Sequence, residues 1–171
     1  MILQAPQCTV RSYRVEDAGS LARHGNNRKI WLNLRDRFPH PFEEAACAEY
    51  IRHLLASPPE SSFAIDVGGS AIGGISLRVG DDIERIGAEI GYWIGEEFWN
   101  RGITTSAIEL VTAHAFSELG LLRVFAVPFT ANTASCRALE KAGYQREGLL
   151  RRSAIKDGQV LDQFLYAAVR D

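Results

Sequence analysis

From Glu89 to Ala107 the chain reads Glu-Ile-Gly-Tyr-Trp-Ile-Gly-Glu-Glu-Phe-Trp-Asn-Arg-Gly-Ile-Thr-Thr-Ser-Ala, a strand pattern that passes through a short polar turn into a helix without a proline. The first amides of a helix have no partner within it and carry the positive end of its dipole. Such a junction can therefore take a diphosphate on backbone groups alone. Gly102 lets the backbone come close to a ligand, Thr104, Thr105 and Ser106 keep the approach open, and Arg101 adds a fixed charge. Ala107, Ile108, Val111, Ala115 and Phe116 supply an apolar face at helical spacing. The chemistry expected here is binding of a phosphorylated cofactor; the competing reading is an ordinary strand-to-helix connection with Gly in the turn.

A second place for chemistry is Asn132 to Tyr144, where Asn132 reads as an N-cap, Ala134, Ala138, Leu139 and Ala142 share one face, and Gly143 stands as the stop. Metal chemistry is not suggested. The three cysteines, Cys8, Cys47 and Cys136, are far apart, and His24, His40, His53 and His114 form no paired ligand spacing.

The elements that must position these residues can be followed along the chain. Cys8 to Tyr13 alternates as a strand, and Glu16-Asp17 opens a helix. Ile30, Leu34 and Phe38, then Ala45, Ala48, Ile51 and Leu55, recur at helical spacing, and the prolines of Arg37 to Phe42 divide them into two helices. Pro58-Pro59 ends the second. Phe63–Val67 and Ala71–Val79 read as a hairpin joined at Gly68-Gly69. Beyond the central helix, which stops near Gly120, Leu121 to Val127 suits a buried strand. Tyr144 to Leu150 and Leu161 to Val169 read as the last two strands, with a turn at Lys156 to Gln159.

With 171 residues and 46% hydrophobic content, the chain fits one domain with a substantial core. A net charge of −2 gives no basic footprint for nucleic acid, and no apolar run is long enough to cross a bilayer. Met1 to Pro6 lacks the features of a signal peptide, so a cytoplasmic location is expected.

The order of elements resembles the GCN5-related N-acetyltransferase (GNAT) superfamily, within it the branch of the RimJ and RimL ribosomal-protein N-acetyltransferases. The motifs that carry the resemblance are Asn33 to Pro41, Glu89 to Ile94 leading into Trp99-Asn100-Arg101-Gly102-Ile103-Thr104-Thr105, and Asn132-x-x-Ser135 with Glu140-Lys141-x-Gly143-Tyr144. The resemblance implies one α/β (α+β) domain over residues 1–171. Its mixed, mostly antiparallel sheet would have about seven strands, splayed in a V between two central parallel strands and flanked by about four helices. It also implies acetyl-coenzyme A between the strand ending at Ile94 and the strand from Leu122 to Val127, with Trp93, Ile94, Asn100, Arg101, Gly102, Ile103, Thr104, Thr105 and Asn132 as cofactor contacts. No metal is expected. Two positions depart from the wider superfamily: Trp99 stands where Gln or Arg is usual, a variant of the RimJ/RimL-like branch. Leu139 stands where many members carry the Tyr that protonates the departing thiolate. Ser135, one turn earlier on the same face, is the nearby hydroxyl.

Acetyl transfer requires a held thioester, a proton acceptor for the amine and donors for the developing oxyanion. Backbone amides can serve the last: the free N–H groups around Gly91 to Trp93 suit the cofactor's own amides and, as a second use, the thioester oxygen, and Gly91 in mid-strand fits a close ligand approach. Strand alternation puts Glu89, Gly91 and Trp93 on one face and Ile90, Tyr92 and Ile94 on the other. Glu89 is thus the candidate base, its other reading being a structural carboxylate paired with Arg or bonded to backbone. Ser135 is the candidate thiol-side acid, its other reading a helix-start hydrogen bonder. Cys136 could in principle carry an acyl group, against the commoner fate of a small buried thiol. Three functions follow: an N-acetyltransferase acting by direct attack in a ternary complex, a non-catalytic acyl-coenzyme A-binding module, and a structural domain without cofactor. The expected acceptor is a protein or peptide N-terminal α-amine, with a small-molecule amine such as an antibiotic or polyamine as the alternative. A homodimer is compatible with this reading; nucleic acid and membrane partners are not expected.

Overall fold

The computed structural model describes all residues from Met1 to Asp171. In chain order the elements are β1 (Ile2–Gln4), β2 (Thr9–Arg11), α1 (Ala18–Gly25), α2 (Arg28–Trp31), α3 (Glu44–Leu55), β3 (Ser62–Val67), β4 (Ser70–Val79), β5 (Gly87–Ile94), α4 (Ile103–Ser117), β6 (Arg123–Ala126), α5 (Thr133–Lys141), β7 (Gln145–Lys156) and β8 (Gln159–Val169). One eight-stranded sheet runs β1-β2-β3-β4-β5-β6-β8-β7, antiparallel throughout except for β5 and β6.

The expected sheet of about seven strands gains β1, whose three residues are too few to show an alternation. The helix expected through Ile30, Leu34 and Phe38 is a single turn, α2; counting that turn, the flanking helices number five. Asn27 caps that turn by accepting from the Lys29 amide at 2.8 Å. Past Trp31 the apolar residues anchor one by one, Phe38 packing tilted against Phe42 and edge-on to Trp93 with ring centroids 4.7 and 5.3 Å apart. Helical spacing here reflects separate anchors on one surface.

The sheet divides two cores. Ile90, Ile94, Ile108, Val111, Val124 and Leu139 fill the side covered by α4 and α5. Tyr13, Leu21, Phe42, Cys47 and Ile51 fill the side covered by α1 and α3. Each fully buried Ile or Leu contributes about 1.5–3 kcal/mol. On the second side Arg11 is buried between two carboxylates, its Nε donating to Asp66 and its terminal nitrogens to Asp17, all at 2.8 Å. That triad fastens β2 and β3 to the turn preceding α1.

The feature that positions a site is the divergence of the two parallel strands. β4 pairs with β5 from Val79↔Ala88 to Gly73↔Ile94, but β6 meets β5 only from Gly87↔Arg123 to Glu89↔Phe125. Beyond that point the chain after β6 follows β8 instead: Phe164 N donates to Pro128 O at 2.9 Å and Thr130 N to Asp162 O at 3.1 Å. A V therefore opens beside Ile90 to Ile94, with the α4 junction at the end of β5.

Candidate cofactor cleft and active site

After β5 the chain makes a short helical turn, Glu96–Phe98, and then takes two left-handed residues, Asn100 at φ 60° and Gly102 at φ 74°. Turns of this kind gather successive amides into an anion-binding concavity. The backbone N–H groups of Asn100, Arg101, Gly102, Ile103, Thr104 and Thr105 have no hydrogen-bond partner in the protein; Ser106 N is the first to find one, Gly102 O at 3.1 Å. These amides stand at the positive end of the 15-residue α4. A Cβ added to Gly102 would meet no atom within 4 Å, so the approach is open.

The loop is fixed from several sides. Trp99 Nε1 donates to Ile94 O at 3.0 Å, which gives the departing Trp a role: it ties the loop to the end of β5. Phe98 lies edge-on to buried His24, with centroids 5.4 Å apart, and carries the Arg101 guanidinium above its ring. Glu96 accepts from Asn27 at 2.7 Å and from Lys29, so the α1–α2 junction braces the same turn. Preorganised amides cost little reorganisation when an anion arrives.

Ser135 sits in the first turn of α5, its amide donating to the capping Asn132 Oδ1 at 3.3 Å. Its hydroxyl lies 2.7 Å from the Tyr92 phenol on the inward face of β5. Leu139 is fully buried and supplies no proton. The nearby phenols are engaged elsewhere, Tyr144 with Thr112 at 2.7 Å and Tyr166 with Glu140 at 2.8 Å. Burial raises the pKa of the Cys136 thiol, which leaves little thiolate and favours the reading of a packed side chain.

On the outward face, Glu89 is 13% exposed and accepts from Arg35 through Oε1 and from Arg78 through Oε2. Arg78 is its cross-strand partner in β4. Burial alone would raise its pKa, but the two guanidiniums outweigh burial and hold the carboxyl below the ordinary carboxylate range. Over the same face, the tip of the β7–β8 hairpin is clasped to the segment around α2. Buried Lys156 donates to Asp36 at 2.8 Å with its ammonium 3.8 Å from the Trp31 ring centroid, while Arg28 pairs with Asp157 at 2.6 Å.

The residues expected from the sequence thus fall into separate places. Asn100 to Thr105 form one contiguous cradle. Trp93 turns its indole into the aromatic cluster with Phe38 and Phe42, and Ile94 is buried in the main core, so both would meet a ligand through backbone. Asn132 spends its side-chain oxygen on capping α5, and Glu89 lies on the face opposite Tyr92. Tyr92, His24, Arg78 and the Lys156 clasp carry no local mark in the sequence of the places they take here. Each depends on strand register or on a partner remote in the chain, and only the apolar-face position of Tyr92 was visible beforehand.

The family model described as an acetyltransferase (GNAT) domain matches residues 7–145. The chain is 45% identical over 83 residues to the uncharacterized N-acetyltransferase YoaA of Bacillus subtilis (strain 168), a match spanning 48% of the chain and 47% of YoaA. It is 26% identical over 176 residues to the uncharacterized N-acetyltransferase p20 of Bacillus licheniformis, covering 98% of the chain and 96% of p20. In fold it is similar to a structure of RimL, a ribosomal L7/L12 alpha-N-protein acetyltransferase in complex with coenzyme A. That comparison has a TM-score of 0.87 and 19% identity, over 100% of this chain and 99% of RimL. The overall fold is thus shared with RimL, and by its match to the family model the chain belongs to the GNAT acetyltransferase family.

Proposed function

We propose that the protein transfers acetyl from acetyl-coenzyme A to a primary amine by direct attack within a ternary complex. The observation that carries this reading is the row of partnerless amides from Asn100 to Thr105 at the start of α4, beside the V in the sheet. Those amides and Arg101 would hold the pyrophosphate, and the unpaired edge of β5 would receive the thioester arm. The amine in its neutral form attacks the thioester carbonyl and forms the N–C bond; the nitrogen gives up its extra proton to water, the C–S bond breaks, and sulfur leaves as thiolate. A thiol with pKa about 8.5 needs only a hydrogen bond to leave near neutral pH, which the Ser135 hydroxyl can donate at the positive end of α5. Glu89, with both oxygens engaged by arginine, serves in this reading as the charged anchor of the acceptor face.

For the acceptor, acidity favours an N-terminal α-amine. At pKa about 7.7–8.0 roughly one-tenth of it is neutral at pH 7, against about four molecules in ten thousand for a lysine amine near 10.4. A site without a free base suits the amine that demands least of one. The RimL likeness in fold points the same way, and a small-molecule amine is the alternative.

A competition assay separates these acceptors. A short peptide with a free N-terminus should be acetylated in preference to the same peptide with that end blocked and a lysine exposed. Preference for the blocked lysine peptide, or activity on a polyamine alone, would overturn the N-terminal assignment.

A further inference from the structure

Tyr92 is the one residue of the β5 motif whose polar group is aimed into the protein and whose partner is a candidate reacting group. Its side chain packs partly buried against the main core, between Ile90 and Ile94 on the inward face, so its rotamer is held by packing. The phenol oxygen has a single hydrogen-bond partner in the protein, Ser135 Oγ at 2.7 Å. Either oxygen could donate on geometry alone, but acidity orders them. A phenol is the stronger donor, and burial raises the pKa of Tyr92 so that it stays protonated. With Tyr92 donating, the Ser135 hydroxyl accepts, and its own hydrogen is free for a further acceptor. Donation into an oxygen also strengthens the bond that the oxygen's hydrogen then makes.

We infer that Tyr92 is a positioning residue for acetyl transfer: its phenol orients and polarises the Ser135 hydroxyl, which is thereby presented to the thiolate that leaves. The inference rests on the proposed role of Ser135. It accounts for how a chain with Leu139 in the usual phenol position still delivers phenolic acidity to the sulfur, one hydroxyl removed. Asn132 completes the arrangement by fixing the Ser135 backbone amide, so the hydroxyl is held from both ends. No bond is made or broken at Tyr92. Its proton remains on the phenol while the C–S bond breaks.

The test is a double-mutant cycle on single-turnover acetylation of a free-N-terminus peptide, with the KM for acetyl-coenzyme A measured beside it. Ser135→Ala should slow acetyl transfer about fivefold or more, and Tyr92→Phe about fivefold, each with KM within about twofold of wild type. The double variant should be no slower than Ser135→Ala, because Tyr92 acts through the serine. Ser135→Thr should retain a hydroxyl and, with it, sensitivity to Tyr92→Phe. Thermal unfolding of Tyr92→Phe, which removes one oxygen from a packed site, checks that the fold persists. Wild-type turnover in Tyr92→Phe while Ser135→Ala is slow, or losses that multiply in the double variant, would overturn the inference and leave the serine's role standing. Full activity in Ser135→Ala would remove the thiolate role of Ser135 itself, and the inference with it.

Discussion

Replacing Gly102 by Val should weaken acetyl-coenzyme A binding by about ten- to a hundredfold, or about 1.4–2.8 kcal/mol, while the protein remains folded. Two effects combine. The residue sits at φ 74°, a conformation that costs a β-branched side chain strongly, so the backbone is pushed away from the arrangement that gathers the amides. The added atoms would also project into the open space through which a diphosphate must come, since nothing in the protein lies within 4 Å of a Cβ there. The same openness means that no core atom is displaced, which is why folding should survive. Calorimetric titration with acetyl-coenzyme A checks the affinity, and circular dichroism checks the fold. A folded Gly102→Val protein that binds as wild type does would remove the cradle from the cofactor site.

The second effect is expected at Glu89 and depends on pH. Glu89→Gln keeps the shape but leaves Arg35 and Arg78, both more than half exposed, without their carboxylate, which should cost about 0.5–1 kcal/mol of stability at neutral pH. Because the folded-state pKa of Glu89 is depressed, its contribution is fully present above the unfolded glutamate value, near 4.3, and is lost as pH falls through the folded value. Denaturation series at pH 7 and in the acid range should therefore show the variant less stable at pH 7 and converging with wild type as pH falls. A gap that persists unchanged into strong acid would contradict the ion-pair role. Turnover distinguishes the two readings of this residue: an anchor leaves the pH dependence of the rate following the amine, whereas a base would imprint its own titration on it.

How much of this was legible in the residues differs from element to element. The hairpin at Gly68-Gly69, the cap at Asn132 and the stop at Gly143 depend on local conformation, and the structure places β3, β4 and α5 where those signals stood, with Gly143 at φ 86°. The cradle was legible for the same reason, since strand, turn and helix are contiguous. Alternation along β5 also held: Ile90 and Ile94 are buried in the core, and Glu89 and Trp93 face the other side. What escaped was set by register and distance. Arg78 became a partner of Glu89 through the β4–β5 pairing, Tyr92 reached Ser135 across 43 positions, and Lys156 reached Asp36 across 120. The buried Arg11 triad shows the same limit, for its partners Asp17 and Asp66 carry no local mark of burial. The aromatic loop before α3 misled because anchoring at Ile30 and Phe38 imitates helical spacing without a helix between them.

The central claim is that the cleft between the splayed strands carries acetyl from coenzyme A to an amine, and release of the free thiol measures that transfer directly. Wild-type protein mixed with acetyl-coenzyme A and a short free-N-terminus peptide should release coenzyme A, followed with a thiol reagent, in step with a matching quantity of acetylated peptide by mass spectrometry. Tight binding of acetyl-coenzyme A with no thiol released above the rate without protein, for the peptide and for a panel of small amines alike, would contradict the account and leave a module that binds without catalysing.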